Sequence, residues 1–144
     1  MSLNFDQMAR CIFTLEASLA HLEHCDPDDI LHEIFRNAVI KSFELTLEVS
    51  GKFLRKVLQE YSASPGSVSK LVFKDLFRYA ASCELMTLEE VERWFHYRDS
   101  RNDTAHDYGL YFATTVVAMI QAFVADAKQL HRTLEERHGP SSSG

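Results

Sequence analysis

Arg98, Arg101, His106 and Tyr108 fall within residues 98–108, interleaved with Asp99, Asp103 and Asp107, where a helical pattern is about to break at Gly109. Polar groups this dense at a helix end either solvate that end or build a site. As a site, the residue types suit phosphodiester chemistry. Cleaving RNA without a metal takes a base for the 2′-hydroxyl proton, an acid for the leaving oxygen, and cations for the phosphate. Histidine titrates near neutral pH, and an arginine fork matches phosphate oxygens.

On a continuous helix at about 100° per residue, Arg101 and Tyr108 share nearly one stripe, whereas His106 lies over Asn102 and points well away from Arg101. Three arrangements bring Arg101 and His106 to one point. The helix unwinds near Thr104 and Ala105, the long arginine bends across, or a second subunit completes the site. The third has a chemical attraction, because one chain offers a single histidine in this segment and a two-fold dimer offers two. The plainer readings are an exposed ion pair from Arg101 to Asp103 or Asp107, worth little, and a His106 that suits the dipole of a helix end. Tyr108, taken alone, is an amphipathic packing residue.

The elements that must position this segment are helices. In 144 residues there are only 5 glycines and 3 prolines, a scarcity that favours a few long elements, and no stretch alternates as a strand would. Phe5, Met8, Ile12, Leu15, Leu19 and Leu22 form one stripe of a first helix that ends between His24 and Pro27. Residues 28–61 carry apolar side chains on several faces, from Ile30, Leu31, Ile34 and Phe35 to Leu45, Leu47, Phe53, Leu54, Val57 and Leu58. They predict a long central helix contacted from more than one side. Gly51 within it suggests a kink or a close helix contact. Ser62 to Ser67, with Pro65 and Gly66, reads as a loop. A shorter third helix runs through Leu71, Val72, Leu76, Phe77 and Ala80. Thr87 and Glu90 form a capping box, with Met86 and Val91 as its hydrophobic staple. The fourth helix therefore starts near Leu88, carries Trp94 and Phe95 as core anchors, and delivers the polar segment. The last has a stripe from Phe112 through Val116, Ile120, Phe123, Ala127 and Leu130 to Leu134. The expected fold is an all-α, up-and-down bundle of four to five helices in one domain spanning 1–138. Residues 139–144 resemble an expression-vector scar.

The composition, 46% hydrophobic and 25% charged, is that of a globular protein. Neither a leader nor a membrane-spanning run is visible, so a cytoplasmic protein is expected. Cys11, Cys25 and Cys83 lack metal or disulfide spacing and read as reduced packing thiols. His21 and His24 are spaced i, i+3, but no fourth ligand accompanies them, so no metal is expected. The net charge of −6 repels nucleic acid on average, so any RNA contact requires a local basic patch. The chain has neither a glycine-rich phosphate loop nor a nucleophile elbow. Glu44, on an apolar stretch, needs a partner if buried, and Arg101 or Arg98 is the expected one. His96 is assigned no role.

Arg101-Asn102-x-x-x-His106-x-Tyr108, the Ile40-Lys41-Ser42-Phe43-Glu44-Leu45 stretch, the Ser64-Pro65 loop and the helical layout together resemble the HEPN superfamily, and within it the HepT-like, nucleotidyltransferase-substrate-binding-like group. The resemblance implies a dimeric helical bundle, a homodimer or higher even oligomer, encoded beside a minimal nucleotidyltransferase. It implies the ribonuclease toxin of a toxin–antitoxin pair, acting on RNA without a metal or other cofactor. Arg101 and His106 would then act in cleavage, Asn102 would shape the site with Glu44 in support, and Tyr108 would accept adenylate from the antitoxin. Glu48 departs from the pattern, since relatives often carry a basic residue there. Two other readings stand beside it: a non-catalytic accessory subunit presenting a substrate or nucleotide to the nucleotidyltransferase, and a structural bundle whose motif glues a dimer.

Overall fold

The computed structural model describes residues 3–104 and 115–138, with the backbone alone for 102–104. His106, Tyr108 and Phe112 lie outside the described residues, as does the 139–144 tail. Among the described residues the structure is helical throughout: α1 (Asp6–Glu23), α2 (Ile30–Tyr61), α3 (Pro65–Ser69), α4 (Phe73–Ser82), α5 (Leu88–Thr104) and α6 (Val117–Arg137).

The apolar stripes close into one core. All six stripe residues of α1, from Phe5 to Leu22, are buried, and α1 packs along α2 as an antiparallel hairpin with α6 against both. Lys128 of α6 reaches Glu16 of α1 at 2.6 Å, and the Tyr61 hydroxyl at the end of α2 donates to the Arg137 carbonyl at 2.6 Å. At 32 residues α2 is the spine, about 48 Å long, and α1, α3, α4, α5 and α6 all contact it.

Three expectations are corrected. α2 begins at Ile30 rather than Asp28, because the Asp29 carboxylate accepts from the Leu31 amide at 2.9 Å and caps the helix. Ile30, Leu31 and Ile34 are exposed instead of core: the last turn of α1 meets α2 at Phe35, on which the His21 ring stacks at 4.9 Å. Leu45 is exposed too. The expected loop at 62–67 holds the start of α3, since Pro65 sits in the first helical turn, where its missing N–H costs nothing.

Two local devices set α5. The capping box forms in both directions, with the Thr87 amide donating to Glu90 Oε1 at 3.0 Å and the Glu90 amide to Thr87 Oγ1 at 3.1 Å. Met86 and Val91 are buried beside it. One turn on, Trp94 is fully buried among Phe77 of α4, Phe123 of α6 and Tyr97, with ring centroids 5.0, 5.4 and 5.8 Å away. Such pairs add about 0.5–1.5 kcal/mol each beyond area burial. Phe95 is only half-buried, under Lys74 and Arg78 of α4 at 5.4 and 5.0 Å from its ring centroid. α5 is thereby held at its start and middle, and its last turn carries Arg101.

Candidate functional site

The α2 stripe of Glu48, Gly51, Lys52 and Arg55 faces α4 and the end of α5 across a cleft of about 280 Å³, lined also by Leu47, Phe73, Leu76, Arg98 and Arg101. Four cations thus stand against one carboxylate on a chain of net charge −6. The cleft is a local basic patch, and Arg101 is part of it.

Each wall has its own support. Arg55 Nη1 donates to the Val68 carbonyl at 2.9 Å and to the Leu71 carbonyl at 2.7 Å, tying the α3–α4 connection to α2. Arg98 lies over the Phe73 ring at 5.6 Å from its centroid, and Phe73 stacks on Phe77 at 4.4 Å. Gly51 meets the same ring, since a Cβ there would lie 3.7 Å from Phe73, ordinary contact. α2 is one helix through it, and the close helix contact is found. The nearest acid in sequence to Arg98, Asp99, pairs instead with Lys74 at 3.2 Å.

On the opposite face of α5 a larger groove of about 460 Å³ runs between α5 and α6, lined by Glu89, Glu92, Arg93, His96, Tyr97, Met119 and Ala122. Its two glutamates make it a poor seat for a polyanion. At its floor Arg93 grips Asp126 through two 2.8 Å bonds, Nε to Oδ2 and Nη2 to Oδ1, and the Tyr97 hydroxyl donates to the same Oδ2. Burial first, then the bond to Asp126, pushes the Tyr97 phenol above its ordinary pKa, and the hydrogen bond to Asp126 likewise raises the Arg93 guanidinium. This network fastens α5 to α6.

Of the residues expected at the site, Arg101 is placed in the cleft. Asn102 is described in its backbone alone, as part of α5, and His106 and Tyr108 lie outside the described residues. Glu44 is half-buried and forms no ion pair with Arg98 or Arg101. The buried carboxylate held by an arginine is Asp126, with Arg93. His96 is exposed on the α5–α6 groove. His24 Nδ1 donates to the Ala20 carbonyl at 2.8 Å. Among the described residues there is no cluster of potential metal ligands, and the three cysteines are free and half-buried. Lys52 and Arg55 were missed from sequence. Their signal was the spacing of Glu48, Lys52 and Arg55 at i, i+4, i+7, which puts three charges on one stripe of α2.

Residues 3–136 match the family described as nucleotidyltransferase substrate binding protein like. The chain is 26% identical to a probable ribonuclease HepT of Haemophilus influenzae, over 94% of each. A solved Haemophilus influenzae structure, described as revealing the fold of a substrate-binding domain of a nucleotidyltransferase, superposes with a TM-score of 0.77 at 25% identity, covering 92% of this chain and 99% of that one.

Proposed function

The chain belongs to the nucleotidyltransferase substrate binding protein like family, and from that premise we propose that it is a HepT-like toxin: a metal-independent endoribonuclease silenced by a minimal nucleotidyltransferase. The observation that carries this reading is the position of Arg101 in a basic cleft on an acidic chain. Similarity over nearly the whole length to a probable ribonuclease HepT supports it.

In this reading two subunits face each other across their 98–108 segments. One His106 takes the 2′-hydroxyl proton, and the 2′-oxygen attacks the adjacent phosphorus. The P–O5′ bond breaks, and the leaving 5′-oxygen takes a proton from the other His106. The products are a 2′,3′-cyclic phosphate and a 5′-hydroxyl. Arg101 neutralises the phosphate through the transition state, with Asn102 shaping the pocket and Glu44 in a supporting role. The antitoxin moves adenylate from ATP to the Tyr108 phenol oxygen and releases pyrophosphate. A phosphate beside Arg101 and His106 then takes the place RNA phosphate would occupy. Such an enzyme works where cellular RNA is, in the cytoplasm, and no described helix is long and apolar enough to cross a membrane.

The test is cleavage of labelled tRNA and mRNA in EDTA by the wild type and His106→Ala, both purified without the partner. Cutting by the wild type alone, leaving cyclic phosphate ends, is expected. An equally active His106→Ala sinks the reading. Tyr108 carrying adenylate by mass spectrometry, after co-expression with the nucleotidyltransferase, is the expected mark of control.

The family's description and that of the solved relative favour a second reading, an accessory subunit presenting substrate to a nucleotidyltransferase. It predicts nucleotide binding that weakens on Arg101→Ala, with no RNA turnover by any preparation.

A further inference from the structure

We propose that the α2–α4–α5 cleft seats the phosphate backbone of a single-stranded RNA beside the scissile linkage, with Lys52 and Arg98 as its phosphate contacts and Glu48 as a built-in brake on affinity. The proposal rests on the nuclease reading and extends it to residues outside the 98–108 motif and to a substrate class.

The four cations differ in what they can give a ligand. Arg55 is committed to the Val68 and Leu71 carbonyls, so it adds positive potential from a fixed place. Lys52 is exposed; its ammonium meets the neutral amide oxygen of Gln7 at 3.4 Å and lies 5.6 Å from the Phe53 ring centroid, and no carboxylate pairs with it among the described residues. Arg98 is half-buried on the Phe73 ring, and Lys74 draws off Asp99 beside it. Both Lys52 and Arg98 line the same cleft as Arg101, so a strand whose phosphate meets Arg101 runs on past them.

The placement of charge favours a strand over a mononucleotide: Lys52 of α2 and Arg98 and Arg101 of α5 line one cleft from two elements. A positive groove that tracks a backbone is the usual seat for single strands. Phe73 is covered by Phe77, Arg98 and Gly51, so recognition here falls on phosphate rather than on base stacking. Glu48 lies one turn from Lys52 on the same stripe and repels the ligand that the cations attract.

The experiment measures binding of a short, labelled, mixed-sequence oligoribonucleotide to full-length His106→Ala, across a range of salt, with Lys52→Gln, Arg98→Gln or Glu48→Gln added. Lys52→Gln and Arg98→Gln should each weaken binding about tenfold and lower the salt slope by about 0.7, the contribution of one single-strand phosphate contact. Glu48→Gln should tighten binding about threefold, an outcome that no folding defect can imitate. With His106 restored, Lys52→Gln should raise KM for the cut RNA more than it lowers kcat. If His106→Ala binds RNA and the substitutions move neither affinity nor slope, the cleft is not the seat and the inference fails while the nuclease reading stands. If AMP displaces the RNA at the concentrations at which an unlabelled oligonucleotide does, the cleft is a mononucleotide seat, and the strand proposal fails. If the wild type cuts no RNA and His106→Ala binds none, the nuclease reading fails and takes this inference with it.

Discussion

At the residue scale the structure carries a buried carboxylate in a built network. Asp126 is held by the Arg93 fork and by the Tyr97 hydroxyl, so its desolvation is offset by three donors, the condition under which a buried carboxylate survives. Tyr97 carries the pH signature of this network. Its phenol is pushed above the ordinary value of about 10, so the folded state keeps a proton that the unfolded chain gives up. The stability linked to that group is complete below about pH 10 and is lost as pH climbs from there towards the higher folded value. Tyr97→Phe should cost about 1 kcal/mol at neutral pH and flatten the fall of Tm above pH 10. Thermal unfolding of both proteins, followed by the fluorescence of Trp94, the only tryptophan, checks this. Parallel Tm curves above pH 10 would mean that burial and Asp126 together do not raise the phenol.

At the element scale, Gly51 decides whether α2 needs its glycine. A Cβ there meets the Phe73 ring at ordinary contact distance, and glycine within a helix costs about 1 kcal/mol relative to alanine. Gly51→Ala should therefore raise stability by up to about 1 kcal/mol in urea unfolding; a loss of similar size would show that the ring cannot yield even to a methyl group. The same helix marks where reading the sequence succeeds and stops. Stripes at steps of three and four placed the core of α1, the lower half of α2 and α6, and Thr87 with Glu90 placed the start of α5, because these signals are local. Ile30 and Leu31 read as core because apolar character does not say where a neighbouring helix ends. Lys52 and Arg55 drew no reading from the sequence because the cleft exists only once α4 and α5 stand opposite them. Arg101 was legible as a motif residue, whereas its companions are neighbours only in space. Asp126 sits in the apolar stripe of α6, and its partner is 33 residues away on another helix.

At the scale of the whole molecule, the proposed chemistry asks for one histidine from each of two subunits. Hybrid dimers test this directly. When wild-type and His106→Ala chains are refolded together in varying proportion, cleavage should follow the square of the wild-type fraction; a linear dependence would place the whole reaction within one subunit. Within the chain the cleft separates what holds it together from what tunes it. Arg55 clasps the α3–α4 connection through two backbone carbonyls, while Glu48 and Lys52 are exposed on α2. Lineages, or engineers, can therefore change the charge at these two positions one step at a time. For the proposed toxin, a lethal nuclease and a mild one then differ by a setting rather than by a redesign, and its potency can drift to match the proposed antitoxin.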